Sequence, residues 1–248
     1  MNAKIITITN HKGGVGKTTT AISLAHALTM LNRKVLLVDF DPQGQCATAL
    51  GMDPEGGVFN LLLHRQDPHQ WVRLTGRENL NLIPGDHSTA TAQIVISAES
   101  RSIDAIAIQL HTFSRDFDYL ILDTAPSVGG IQERAIWASD FVIVPTATEF
   151  LSADGVRHVV ELMQALARRE WRGKLLGVLP TFYDETTRET KSTIESLSAT
   201  FGDRLCAPIH RATILRECAA EGVTIFEKDP TSRAAAEYKT LAEMIFKF

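Results

Sequence analysis

The sequence predicts an α/β fold, a mostly parallel twisted sheet with helices on both faces, and three observations carry that expectation. Short β-branched runs alternate with longer amphipathic stretches along the chain, the pattern of strands joined by crossover helices. The runs are apolar throughout rather than alternating, as strands covered on both faces are. Several of them lead into a glycine-rich loop or an aspartate, which gathers polar chemistry at the C-terminal edge of the sheet, where ligands of such sheets bind. The 248 residues show no internal repeat, low-complexity tract or composition break, so 1–248 reads as one domain.

The elements follow in order. Residues 4–9 (Lys-Ile-Ile-Thr-Ile-Thr) form a buried strand that runs straight into the glycine loop. Residues 18–31 place Ala21, Leu24, Ala25 and Leu28 at helical spacing. Residues 34–39 (Lys-Val-Leu-Leu-Val-Asp) are a strand ending in acid, and 79–83 a weaker one. The Ser-, Thr- and Ala-rich stretch 85–102 reads as helix with flexible ends, and 103–113 as helix. Strands follow at 119–122, running into Asp123, and at 141–144, ending at Pro145. A helix over 155–168, a strand at 175–179 and a helix over 190–200 complete the alternation. The tail, 233–248, carries a stripe of Tyr238, Leu241, Ala242, Ile245 and Phe248. Its polar face mixes Glu237, Lys239, Glu243 and Lys247, so packing against the domain is expected rather than insertion at a membrane surface.

Composition sets limits. Hydrophobic residues make up 44% and charged residues 22%, enough for a full core. The net charge of −4 excludes a polycation, so any nucleic-acid contact must come from a local patch. Cys46, Cys206 and Cys218 show no metal-ligand spacing and read as reduced, structural thiols of a cytosolic protein. No signal peptide is expected, and no apolar run approaches the roughly 20 residues that span a bilayer.

The chemistry concentrates at residues 10–20, Asn-His-Lys-Gly-Gly-Val-Gly-Lys-Thr-Thr-Thr. The phosphate-loop pattern G-x-x-x-x-G-K-[ST] fits at Gly16-Lys17-Thr18, but His11 replaces its first glycine and a second lysine, Lys12, stands beside it. Lys12, Gly13, Gly14, Val15, Gly16, Lys17, Thr18 and Thr19 are the expected nucleotide-binding loop: the glycines turn backbone N–H groups toward phosphate oxygens, and the helix N-terminus adds its dipole. Lys17 would neutralise the β- and γ-phosphates, and Thr18 would ligate Mg²⁺, with Asp123 holding a metal-bound water. Asp39 and Asp41 follow a second strand and bring further carboxylates to the same rim. Asp41 stands before Pro42, so a turn-forming role is its alternative.

Lys12 to Thr19 resembles the deviant Walker A of the ParA/MinD family of P-loop ATPases. Asp39-Phe-Asp-Pro-Gln43 is similar to that family's D-x-D-P-Q segment, which points to the ParA (Soj-like) branch. Asp123-Thr-Ala-Pro-Ser127 resembles its Walker B and switch region, with Ala125 in place of a proline. Val142-Ile-Val-Pro145 with Glu149, then Tyr183-Asp184, sit where such proteins carry comparable residues. Ile209-His-Arg211 followed by Leu215-Arg-Glu217 resembles the late I-P-R…L-x-E block, with His210 where proline is usual.

The resemblance implies a P-loop NTPase fold and an ATP hydrolase using ATP and Mg²⁺, with Lys12, Lys17 and Asp41 as the catalytic residues. Lys12 would reach across an ATP-sandwich homodimer to the partner's phosphates, Asp41 would position the attacking water, and Asp39 would be a second-shell or metal-side carboxylate. Thr181, His210 and Arg211 would contact adenine. His11 would be structural or lie at the dimer face. ATP-dependent, non-specific DNA binding would involve Arg188, Lys191, Arg211 and Arg216, although Ile214 stands where many members carry arginine. The basic run around Arg168, Arg169, Arg172 and Lys174 is a second DNA candidate or a solvated helix end. A ParB-like or other adaptor would stimulate hydrolysis, in a cytoplasmic, nucleoid-associated protein that partitions or positions plasmid, chromosome or protein cargo. A MinD-like membrane-associated positioning ATPase and a cellulose-synthesis-associated relative are the alternatives. Iron–sulfur carriers would need cysteines at a dimer interface, which Cys46 alone near the rim does not supply, and ligases of the same fold lack the D-P-Q segment. No helix-turn-helix module for operator binding is expected.

Overall fold

β1 (Lys4–Ile8), β2 (Val35–Asp39), β3 (Arg73–Leu74), β4 (Leu80–Ile83), β5 (Tyr119–Asp123), β6 (Phe141–Ala147) and β7 (Lys174–Thr181) join in one sheet of order β3-β4-β2-β5-β1-β6-β7. All pairings are parallel except β3 with β4. The structure is a computed structural model and describes residues 2–64, 66–126, 130–148 and 152–247. Ser127, Glu149 and Phe248, singled out in the sequence, lie outside the described residues.

The helices are α1 (Lys17–Thr29), α2 (Gln45–Ala49), α3 (Gly57–Leu63), α4 (Ser88–Ala98), α5 (Ala105–His111), α6 (Ile131–Ala138), α7 (Ser152–Ala167), α8 (Arg188–Phe201), α9 (Ile214–Glu221), α10 (Ile225–Lys228) and α11 (Arg233–Phe246). Side chains alternate across each strand, and both faces are covered. Val35 and Leu37 of β2 pack with Ile6 and Ile8 of β1 under α1, α2 and α11. Leu36 and Val38 face the opposite side with Leu120 and Leu122, under α3, α4, α5 and α6. At the other end of the sheet, Val142, Val144 and Val178 pack against α7 and against Leu197 of α8. The apolar stripe of the tail is used in this way too: Tyr238, Leu241, Ala242 and Ile245 are buried in the core shared with α1.

Two details differ from the sequence expectation for physical reasons. β6 continues through Pro145 to Ala147, because β1 pairs with it only as far as Ile143. Beyond that point the β1 side of β6 faces the glycine loop, so the missing proline N–H breaks no ladder, while the Pro145 carbonyl accepts from Asn10 Nδ2 at 2.7 Å. β7 likewise runs through Pro180, whose carbonyl accepts from the Ile209 N–H at 2.8 Å. The segment 85–102 contains a helix, α4, with Ala92 and Ile96 inward.

The topology fixes the site. From β1 the chain crosses by α1 to β2 on one side, whereas from β5 it passes back across β1 to β6 on the other. The carboxyl end of β1 is therefore a switch point, where loops diverge and leave a crevice.

Candidate nucleotide site

The loop leaving β1 is shaped by backbone and pinned by side chains. Gly16, the residue before α1, has φ of 83°, a left-handed conformation that L side chains adopt at a cost, and it sets the turn from loop to helix. Buried Asn10 bridges two elements: its amide nitrogen donates to Pro145 of β6 and its oxygen accepts the Lys12 N–H at 2.9 Å. Lys17 Nζ donates to the Lys12 carbonyl at 3.0 Å, and Thr181 Oγ1 at the end of β7 donates to the Val15 carbonyl at 2.9 Å. The loop is thus held before any ligand binds, the preorganisation that an anion cradle needs.

The carboxylates arrive by strand register. Asp39 and Asp123 are direct neighbours on β2 and β5, both with no exposed surface. Asp123 Oδ2 accepts from Thr18 Oγ1 at 2.7 Å and from the Cys46 thiol at 3.5 Å, whereas its Oδ1 is buried without a hydrogen-bond partner. Asp39 accepts the N–H groups of Asp41 and Cys46, each at 3.0 Å, so its carboxylate holds the loop between β2 and α2 from below. Asp41 Oδ1 accepts the Gln43 N–H at 2.9 Å, which is the turn-forming role, and Asp41 also lines the phosphate-side cavity. That cavity, of about 360 Å³, is bounded by Gly13, Gly14, Lys17, Thr18, Asp41 and Pro126, among others.

Burial sets the electrostatics. Asp123 is pushed up to about 6, first by desolvation and then by the nearby Asp41, with Thr18 and Lys17 opposing. Asp39 is raised well above the usual carboxylate range by burial and by Asp123 beside it. Lys17 is lowered, mainly by desolvation, while Asp123 and Asp41 hold it up. Cys46 is raised well above the ordinary thiol value by burial and by both buried acids, so it stays protonated and donates to Asp123. A hydroxyl and carboxylates offer the hard oxygen donors that Mg²⁺ takes, and the unpartnered Asp123 Oδ1 is an acceptor available to a metal-bound water. The residues fit that ion.

A second cavity, of about 380 Å³, opens beside the loop and shares Gly16 and Thr19 with it. Thr181, His210 and Arg211 all line it, together with Phe182. The Thr181 hydroxyl is already committed to Val15, so Thr181 contributes shape rather than a free donor. Arg211 lies over the Phe182 ring at 5.5 Å. A third cavity, of about 330 Å³, lies behind Thr18 and Thr19, between α1, α2 and α9.

The remaining candidates are spread out. Arg188 and Lys191 are exposed on α8, whereas Arg211 and Arg216 are exposed at the second cavity. The run from Arg168 to Lys174 leads into the start of β7, at the end of the sheet opposite the glycine loop. There Arg169 pairs with Glu133 at 3.0 Å, and buried Trp171 donates to the Ser139 carbonyl at 3.1 Å. His11 stacks obliquely on His158 of α7 at 5.4 Å. Sequence reasoning missed Asn10, a polar residue between a strand and the loop, and read Cys46 as packing although it touches Asp123. It gave no role to Gln43 and passed over Gln45, both of which line the phosphate side.

Comparison with known proteins agrees with this geometry. Residues 3–175 match the family model described as AAA domain. The chain is 34% identical to the sporulation initiation inhibitor protein Soj of Bacillus subtilis, covering 98% of each chain. It is also 34% identical to the chromosome-partitioning ATPase Soj of Thermus thermophilus, covering 99% of this chain and 97% of that one. Among solved structures, cobyrinic acid a,c-diamide synthase from Mycobacterium smegmatis, with bound ATP analogue and magnesium, superposes with a TM-score of 0.85 at 29% identity over 99% of this chain and 94% of that chain. With the loop, the register-paired acids and the sheet order in place, the chain belongs to the ParA family of P-loop ATPases.

Proposed function

We propose that this ATPase works as a dimer-dependent switch: ATP and Mg²⁺ close two copies into a sandwich, the dimer holds DNA non-specifically, and an adaptor of ParB type triggers hydrolysis and release. The observation that carries the reading is the division of labour between two lysines. Lys17 is buried inside the loop, bonded to the Lys12 carbonyl and flanked by Asp123 and Asp41, where it serves its own chain's phosphates. Lys12 sits half-buried on the loop itself, beyond what binding in one chain requires, and suits a phosphate presented by a second copy.

In this mechanism the loop N–H groups and Lys17 bind the phosphates, and the 209–211 segment with Thr181 walls the base. Thr18, and Asp123 through a water, would hold Mg²⁺, which when bound would screen phosphate charge. Asp41 orients the attacking water at the rim, and Lys12 of the partner copy stabilises charge developing on the transferred group. Asp39 acts through structure, fixing the loop that carries Asp41. Arg188, Lys191, Arg211 and Arg216 supply cations for DNA, and cargo choice rests with the adaptor. The name of the Thermus thermophilus relative, a chromosome-partitioning ATPase, supports chromosome partitioning as the process served.

The test is a DNA-retention assay with ATP, with ADP and without nucleotide, beside anionic liposomes. Retention should require ATP and weaken steeply as salt rises, because phosphate contacts release counterions. Retention that is independent of ATP, or recruitment to liposomes in place of DNA, counts against the reading.

A further inference from the structure

α11 places two consecutive residues beside the second cavity, which Tyr238 lines. Tyr238 is buried, its Oη 3.5 Å from Thr20 Oγ1 on α1, the helix that begins at the phosphate loop. Its neighbour Glu237 turns to the base side and engages one residue twice: Oε2 accepts the His210 backbone N–H at 2.9 Å, and Oε1 lies 2.6 Å from His210 Nδ1. Arg233, one turn earlier, donates through Nε to the same Oε1 at 3.0 Å and directs a terminal nitrogen, Nη2, to His210 Nε2. Arginine has no acceptor, so Nε2 receives that bond and Nδ1 carries the proton given to Glu237. The imidazole is closed on a third side by Tyr183, edge-on at 4.7 Å.

The main chain around His210 is stitched to the end of β7 as well. Tyr183 donates to the Ile209 carbonyl at 3.1 Å, and Arg211 donates to the Tyr183 carbonyl at 3.0 Å. Ile209, His210 and Arg211 border the second cavity. A proline at this position would fix φ and carry no N–H. A histidine leaves both the torsion and the donor free, and Glu237 captures the donor.

We propose that Glu237 is a positioning residue for nucleotide: by clasping His210 through main chain and ring, it holds the 209–211 wall in the shape that receives the base, so that base affinity depends on α11. The proposal rests on the reading of the second cavity as the base pocket. The expected occupant of the clasped wall is the planar base of an adenine nucleotide, and the phosphates are held independently by the loop.

The test is calorimetric titration of nucleotide-free protein, in magnesium buffer, with ATP, ADP and inorganic tripolyphosphate. Glu237→Ala should weaken ATP and ADP about tenfold, the size of losing hydrogen bonds to a charged group, and leave tripolyphosphate unchanged. Glu237→Gln keeps an acceptor for the His210 N–H and should lose less, which separates a positioning role from misfolding. Wild-type ATP affinity in Glu237→Ala overturns the proposal, and so does an equal loss for ATP and tripolyphosphate. A wild-type protein that binds tripolyphosphate as tightly as ATP overturns instead the base-pocket reading beneath it.

Discussion

At the scale of single residues, Asp123 shows how the site trades stability for function. A carboxyl whose folded-state pKa lies above its unfolded value binds its proton more tightly when folded. For Asp123, raised from 3.8 to about 6, the cost of the charged form is absent below the unfolded value, develops between the two, and is complete above about 6. Asp123→Asn should therefore stabilise the nucleotide- and magnesium-free protein at neutral pH by about 2–3 kcal/mol, a margin that narrows as pH falls toward 5. Thermal melts of both proteins across that range check it, and a variant less stable at pH 7 contradicts the burial argument. The same substitution should abolish magnesium-dependent turnover. Asp41 differs, since it is bonded through one oxygen to Gln43 and reaches the cavity. Asp41→Ala should bind ATP but stall hydrolysis, accumulating an ATP-loaded dimer; wild-type turnover would remove Asp41 from the mechanism.

At the scale of elements, α7 reaches the phosphate loop through a glycine. A Cβ at Gly155 would collide with Asn10 Oδ1, the atom that accepts the Lys12 N–H. Asn10 cannot swing away cheaply because its amide nitrogen is bonded to Pro145. Gly155→Ala should thus disturb Lys12 while gaining helix propensity, lowering ATP turnover several-fold with little loss of melting temperature. Unchanged kcat would show that the loop tolerates the displacement. Such contacts mark the limit of what the sequence discloses. The glycine loop, the strands feeding Asp39 and Asp123, and the buried stripe of α11 were legible, because each follows from local pattern and strand direction. Asn10, Cys46 and Glu237 were not, since their partners lie on β6, on β5 and on the 209–211 segment respectively. The extension of β6 through Pro145 was hidden for a related reason: whether a proline breaks a strand depends on which neighbour pairs with it there. Short elements such as β3, α2 and α10 carry too few residues for a period to show.

At the scale of the whole molecule, the two-lysine loop separates cis from trans action in a way that one mixing experiment can read. Lys12→Ala and Asp41→Ala should each be nearly inactive alone. If Lys12 acts across the interface, a mixed dimer restores one complete site: the Lys12→Ala copy contributes its own Lys17, Thr18 and Asp41, and the Asp41→Ala copy lends it Lys12. The other site of that dimer lacks both groups. Random pairing makes half of the dimers mixed, each with one of two sites intact, so an equimolar mixture should recover about a quarter of the wild-type rate. If Lys12 serves its own chain, every site in every dimer is defective and mixing recovers nothing. Light scattering with and without ATP establishes that the mixed species form, which keeps a failure to dimerise from passing as a cis role. Recovery that rises and falls with the mixing ratio, peaking at equal amounts, is the signature of a site built from two copies of this chain.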